Sequence, residues 1–462
     1  MAISGGVIMT DELIRKWDIS RRRVIESMGG AAALGAMGAL PAFAQAGGPW
    51  SQVPKSKVDR LNFVVWTYGD IYTRISKQFE TDWGVKVDAT ISSFNDHPAK
   101  LTTMYAAGEK IDVSQSSPFS FPNFIEQGLV EPIDGLPGAA DYVADFSGFT
   151  KQVAQFKGKT MGLPYFSAIW VWNYYADMLE KLKIDKPFST YDEFIEHCVK
   201  AKKDGVSRYP VLWVAGVGLE QLPGTWYSIT CNRGGTFFDK QGNHMLGPGS
   251  IARDVLKWWA NTFEKGLDIA DPESLKVQFT TSAKAFGAGK NLYRGPNHHY
   301  GLNVVNDPAQ SPIAGKVKVH GWPGEGKTIG VTHVYFMTTA NRDKEWAWKL
   351  LQALGGKTKD GEYTQAISLA KDAMLGSGYQ SVMKSDAVKK GWAPWGDVDA
   401  ILAMWDKASY IGETCSSVYQ PWHFPWTDQL NIEVQKCLTG QITADACCDN
   451  LIKGIAEAKK KV

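Results

Sequence analysis

One segment of the chain has the spacing of a nucleotide site. Gly321-Trp322-Pro323-Gly324-Glu325-Gly326-Lys327-Thr328 matches G-x-x-x-x-G-K-T, in which backbone N–H groups and a lysine cradle phosphates. That chemistry needs a strand before the loop and a helix after it, because the helix N-terminus supplies the positive field. Val317 to His320 can be the strand, but Ile329 to Phe336 is β-branched and aromatic, so a hairpin is predicted and nucleotide binding is not. Metal chemistry is no better provided for. Eight His are scattered along the chain, and the adjacent pair His298-His299 would diverge on a strand. No H-E-x-x-H, nucleophile elbow, C-x-x-C or dinucleotide fingerprint occurs, so no enzyme activity, cofactor or metal is expected. Two carboxylates ~5 to 9 Å apart, the requirement for glycoside hydrolysis, are a spatial property that leaves an exported glycoside-acting enzyme open as an alternative.

Binding chemistry is better represented. The 18 Trp, 17 Tyr and 20 Phe exceed what a core in 462 residues requires, so part of this aromatic surface is expected to line a ligand. At ~150 residues per domain the length allows two or three domains. The 50 basic and 48 acidic residues give a formal charge of +2, which leaves no overall pull toward nucleic acid or an anionic membrane.

Ser20-Arg21-Arg22-Arg23-Val24-Ile25 precedes a weakly apolar, Gly/Ala-rich run from Met28 to Leu40, followed by small-residue cleavage sites at Ala42-Phe43-Ala44 and Ala44-Gln45-Ala46. This pattern reads as a twin-arginine export signal over residues 1–44, with Val24 and Ile25 where Phe and Leu are usual. The run is short of the ~20 strongly apolar residues a membrane span needs. Export to an oxidising compartment permits disulfides among Cys198, Cys231, Cys415, Cys437, Cys447 and Cys448, and a Cys437 bridge to Cys447 or Cys448 is the expected one.

Short strands and helices alternate along the exported part. Leu61 to Trp66 reads as a buried strand, Ile71 to Trp83 as a helix, Lys86 to Ile91 as a strand and Pro98 to Ala107 as a helix. Ile111 to Val113 and Phe121 to Leu129 repeat the unit. Such an order predicts an α/β fold with a parallel sheet, whose ligands bind beyond the carboxyl ends of the strands. Trp66, Tyr68, Asn95, Gln115 and Ser117 occupy those ends and are candidate ligand contacts, although turn chemistry explains Asn95, Gln115 and Ser117 as well. A second unit begins near Gly162. Thr190-x-x-Glu193 is a capping box opening a helix, and Ser250 opens another. Helices are also expected over Asp343 to Leu354 and from Trp426 onward.

The segments Gly162-Leu-Pro-Tyr165, Tyr174-Tyr-Ala-Asp177-Met-Leu-Glu-Lys181 and Thr190-Tyr-Asp-Glu-Phe194 resemble the central signature of the family 1 extracellular solute-binding proteins, the receptors of ABC importers. Gly234-Gly235-Thr-Phe-Phe-Asp239, Phe286 to Pro296 and Gly440-Gln-Ile-Thr443-Ala-Asp-Ala446 extend the likeness over residues 61 to 455; Tyr175 and Tyr191 stand where the family has Asn and Trp. The resemblance implies a two-lobed periplasmic-binding-protein fold with a ligand cleft between the lobes. Lobe 1 is expected from 58–163 with about 297–345, and lobe 2 from 164–296 with about 346–462. It further implies a monomer in the periplasm that captures a small solute, a carbohydrate or polyol, and delivers it to an ABC permease in the inner membrane.

Under that expectation Tyr165 lies at the crossover between lobes. Trp226 sits in the stretch Leu222-Pro-Gly-Thr-Trp-Tyr, taken as a loop, and Arg294 and Asn297, with His298, end a strand. Trp395 and Trp426, with Trp422, fall in Pro-punctuated loops where the family often stacks a sugar. Trp258, Trp259, Trp346 and Trp348 are placed on helices as packing residues. A receptor of the same fold for a cation such as a polyamine stays open; it would need several cleft carboxylates, for which Asp70, Asp96, Asp112 and Glu220 are the candidates.

Overall fold

The computed structural model describes residues 48–66, 71–94, 96–218, 220–394 and 396–461. The export signal and the candidates Tyr68, Asn95 and Trp395 lie outside them.

The alternation of apolar runs and capped helices gives the expected first unit. Strand β1 (Arg60–Trp66), helix α1 (Ile71–Trp83), β2 (Lys86–Ser92), α2 (His97–Ala106), β3 (Val113–Ser116) and α3 (Phe121–Glu126) follow in order. β1 pairs in parallel with both β2 and β3. The long strand β4 (Leu163–Tyr175) then leaves this unit, buried at every position but Tyr174. It leads to α4 (Tyr191–Lys203), β5 (Val211–Leu212), α5 (Gln221–Asn232), α6 (Ile251–Asn261), α7 (Phe279–Gly287) and β6 (Tyr293–His298). Helix α4 starts at Thr190, whose hydroxyl accepts from the Glu193 N–H at 3.1 Å, while the Glu193 carboxylate reaches back to the Ser189 N–H at 2.6 Å.

Two strands remain, β7 (Val317–His320) and β8 (Thr328–Thr338), joined by the glycine-rich segment with the phosphate-loop spacing. They do not form the expected hairpin. Both run antiparallel to β4, β7 against Trp172–Tyr175 and β8 against Leu163–Ile169, so they lie end to end along one long strand. The connection is pinned there, because Trp322 Nε1 and Thr328 Oγ1 both donate to the Trp170 carbonyl, at 2.7 and 2.5 Å. No helix follows to hold a phosphate.

The ten described strands of the main sheet have the order β2-β1-β3-β8-β4-β6-β5 along its central path. β3 to β2 belong to one lobe and β6 and β5 to the other, and β8 and β4 cross between them. Residues 302–320 pack on the second lobe, where β7 pairs with β4. Helix α8 (Lys344–Gly355) packs on the first: the Trp346 ring lies 6.2 Å from Trp83 and 6.5 Å from Phe79 on α1.

Two further expectations are corrected. Trp226 is in helix α5 and Trp426 in helix α11 (His423–Leu438), and both are fully buried. Pro223 and Gly224 sit in the first turn of α5, where a missing N–H costs no hydrogen bond. Trp226 Nε1 donates to the Ala252 carbonyl of α6 at 2.8 Å, and Trp426 Nε1 to the Leu451 carbonyl of α12 (Ala444–Lys459) at 3.1 Å. Arg253, almost wholly buried, joins the same helices through Asp445 and Asp449. All six cysteines are buried and unbridged, so no disulfide links Cys437 to Cys447 or Cys448. Among the described residues no helix is long and apolar enough to cross a membrane.

Trp226→Ala and Trp426→Ala should therefore each lower stability by ~3 to 5 kcal/mol through a cavity and an orphaned carbonyl. Urea unfolding followed by tryptophan fluorescence measures this; a midpoint unchanged from the parent would refute the core assignment.

Candidate functional site

Where the lobes meet, ring contacts run unbroken from one to the other. Trp66 ends β1, with Phe94 and His97 edge-on to it at 5.3 and 5.0 Å. His333, in the middle of crossing strand β8, is 5.7 Å from Trp66 and stacks on Phe166 of β4 at 4.3 Å and 15°. Phe166 meets Tyr300 at 6.2 Å, and Tyr300 meets His298, the last residue of β6, at 5.1 Å. His298 stacks on Phe279 at 4.3 Å and lies 5.1 Å from Trp170. Gly224 is required beside this end: a Cβ there would sit 2.0 Å from the Trp170 ring.

Along this path many polar atoms have no protein partner. Trp66 Nε1, Trp170 Nε1, Glu220 Oε1, Gln221 Oε1, Asn297 Oδ1 and both ring nitrogens of His298 and His333 are buried without a hydrogen bond. Folded proteins pair the great majority of such groups, so a cluster this dense marks a place where something else supplies the partners. Against the first lobe, Trp66, Phe94, His97, Pro98, Ser116, Ser117 and Ser120 line a tight recess with no room for a water molecule.

Burial sets the charge of the lining. It holds His97 down to about 4 and His333 to about 3, and keeps His298 well below the ordinary imidazole value, with repulsion from His333 second. These imidazoles are neutral at pH 7, each with one donor and one acceptor nitrogen. Burial pushes the Glu220 carboxyl up to about 8, offset in part by the hydrogen bond from Ser117 across the cleft. Glu220 is thus mostly protonated at pH 7. The wall is neutral, amphiphilic and rich in donor and acceptor atoms without protein partners.

The sequence candidates divide clearly. Trp66 has its indole N–H free and its ring in the cleft cluster. The Tyr165 ring is tilted 44° against Tyr335 at 4.7 Å and lies 6.4 Å from Trp66, with its hydroxyl beside that of Tyr72. Ser117 reaches Glu220 from the opposite lobe. Gln115 is a positioning residue: its amide donates to the Trp66 carbonyl at 3.3 Å and accepts from Tyr72 at 2.9 Å. Asn297 keeps its oxygen unpaired while its amide donates to the His298 carbonyl. Arg294 is spent on structure, donating to Asn173, Ser282 and the Phe279 carbonyl at 2.8 to 3.2 Å. Trp226 and Trp426 are inside the second lobe and outside this cluster.

Sequence reasoning missed Phe94, His97 and His333 as lining residues. A single His inside the β-branched run Ile329 to Phe336 is the one signal that could have flagged His333. Among the described residues no group of three or more His, Cys, Asp or Glu side chains could hold a metal.

The comparisons agree with this architecture. Residues 66–360 match the family model of the bacterial extracellular solute-binding proteins. A binding protein of Brucella abortus is 25% identical over 304 residues, covering 64% of this chain and 71% of the relative. The maltose-bound MalE3 protein of Thermotoga maritima superposes with a TM-score of 0.71 at 20% identity, covering 87% of this chain and 100% of that one. An ABC transporter solute-binding protein of Agrobacterium vitis with bound D-mannitol gives 0.71 at 18% identity, covering 87% and 99%. With the two lobes, the crossing strands and the partnerless cleft atoms described, the match over residues 66–360 assigns the chain to the bacterial extracellular solute-binding proteins.

Proposed function

We propose that the chain is the periplasmic receptor of an ABC importer for an uncharged carbohydrate or polyol, which it delivers to a permease in the inner membrane. The observation that carries this is the alternation, along one interlobe surface, of aromatic ring faces with unpaired neutral donors and acceptors. A sugar or polyol presents the complement: C–H faces that stack on rings, and hydroxyls that both donate and accept. The maltose and D-mannitol carried by the two solved relatives support the same class.

Of the four candidate carboxylates for a polyamine, Asp70 lies outside the described residues. Asp112 is committed to the Asn62 and Arg342 backbone N–H groups at 2.6 and 2.7 Å, and Asp96 is exposed and bonded to Ser93. Glu220 alone among the described candidates lines the cleft, and it is mostly protonated there. On this reading the receptor binds one solute per monomer and returns it unchanged, and conversion of the bound solute over many cycles would overturn it.

A thermal-shift screen against sugars, polyols, polyamines and amino acids tests the class, since a bound ligand raises the melting point by mass action. Stabilisation by sugars or polyols alone is expected; stabilisation by polyamines alone would overturn the proposal. With the ligand so found, Trp66→Ala should weaken binding by ~2 kcal/mol, roughly thirtyfold, because the ring is a desolvated anchor. Calorimetry on the folded variant reads this loss, and parent-like affinity would remove Trp66 from the site.

Glu220 makes a second, pH-dependent prediction. Its native carboxyl titrates near 8 against an ordinary 4.5, so the unfolded chain loses this proton first as pH rises. Stability is therefore unaffected below about 4.5 and falls between about 4.5 and 8, by at most ~1.4 kcal/mol per pH unit. Glu220→Gln should flatten that fall; an identical pH profile of the melting point would show that the carboxyl is not held protonated.

Export by the twin-arginine route rests on Arg21 to Arg23 and the modest hydrophobicity of the following run. Changing all three to Lys should leave precursor in the cytoplasm on fractionation, and undiminished export would place the chain on the general route.

A further inference from the structure

A second recess of the first lobe stands apart from the cleft. It lies on the outer face, between α1, α8, the start of helix α9 (Thr364–Ala373) and the segment around Trp50, with a volume of about 440 Å³. Its walls carry Arg74, Lys77, Lys349, Lys357 and Lys359 against one acid, Asp82. On a chain of nearly balanced charge this is a concentrated positive site.

Two of its groups are buried with their chemistry unanswered. Lys349 is 6% exposed, and its ammonium donates only to neutral oxygens, the Pro49 carbonyl at 2.6 Å and Gln352 Oε1 at 3.2 Å. An ammonium buried without a counter-ion is costly, and here the cost shows as a group held down to about 8 by desolvation. Gln365 is 9% exposed, lines the same recess, and its Nε2 has no hydrogen-bond partner. Lys349 thus lacks a counter-ion, and Gln365 Nε2 lacks an acceptor. Around them Lys357 lies over the Trp50 ring at 4.4 Å and Lys359 over Trp83 at 4.8 Å, so the cations rest on aromatic walls. Among the described residues no carboxylate pairs with Lys349, Lys357 or Lys359.

We infer that this groove is a second binding site, separate from the interlobe cleft, for a phosphate-bearing ligand whose apolar part lies against Trp50 and Trp83. The number of cations exceeds what one carboxylate needs and suits the charge and the several acceptor oxygens of a phosphate. The ligand is either a soluble phosphate ester or the headgroup of an anionic phospholipid, which share this chemistry. The site is independent of what the cleft binds.

The exported form of the full chain is titrated with inorganic pyrophosphate by calorimetry, and with vesicles of phosphatidylcholine with and without phosphatidylglycerol by co-sedimentation. Saturable binding to either probe is expected, weakened at least tenfold in Lys357→Ala/Lys359→Ala and in Gln365→Leu. The paired control Lys181→Ala/Lys186→Ala, on the second lobe, should bind as the parent does. Lys357 and Lys359 are chosen because they are more exposed than Lys349, and an unchanged melting point verifies that the variant folds. Pyrophosphate binding without vesicle binding assigns a soluble ester; binding only to phosphatidylglycerol vesicles assigns a lipid headgroup. Binding to neither probe, binding that survives the groove substitutions, or an equal loss in the control pair overturns the site. Uptake of protons on pyrophosphate binding at pH 8 is a further expected sign that Lys349 gains a counter-ion.

Discussion

The antiparallel pairing of two long strands, Leu163–Tyr175 and Thr328–Thr338, is the interaction on which the rest of the molecule depends. Each contributes ladder hydrogen bonds to both lobes, and nearly every side chain on them is buried. β3 docks on one side of this pair and β6 on the other. The lobes therefore share a backbone, and the surfaces that face each other across the cleft are fixed in register by the same ladder. That the chain between β7 and β8 is tied to the Trp170 carbonyl explains why a phosphate-loop spacing occurs without its chemistry. Its glycines serve a tight connection along a strand, and the strand continues where a nucleotide site would need a helix.

Buried tryptophans make the difference between core and site concrete. Trp226 and Trp426 donate their indole N–H groups to backbone carbonyls of neighbouring helices, so burial is complete in both the apolar and the polar sense. Trp66 and Trp170 are just as buried, yet their N–H groups have no partner. Since an unsatisfied buried donor costs about 1 to 3 kcal/mol, the distinction is energetic. A family of solute receptors gains from keeping such groups uncommitted until a solute arrives.

Charge follows the same division. Arg294 is fully buried but answered by three neutral acceptors, which hold the second lobe together beneath the cleft; burial still brings it down to about 9. Glu220 and the cleft imidazoles are shifted toward neutrality, leaving a lining suited to hydroxyls. The positive groove on the far face of the first lobe is the reverse case, a place where cations are concentrated around one acid, Asp82.

The local elements were legible in the sequence because their signals are local. The spacing of Ile71 to Trp83, the Thr190 and Ser250 caps and the β-branched run after Thr328 depend on residues three or four positions apart, and the structure follows them closely. Position at a strand's carboxyl end pointed to Trp66 and Ser117, and the family likeness to Tyr165, all of which lie near the place where the lobes meet. Pro223 misled the assignment of Trp226, since proline in a first turn looks like a loop from sequence. The pairing of β7 and β8 with β4, the stacking of His333 on Phe166, and the approach of Ser117 to Glu220 join residues 100 or more positions apart. The sequence by itself determined the elements, the two-lobed family and the neutral overall charge. Which aromatics keep their polar atoms unpaired was decided only by tertiary packing, because a tryptophan's type is the same whether a distant carbonyl reaches it or not.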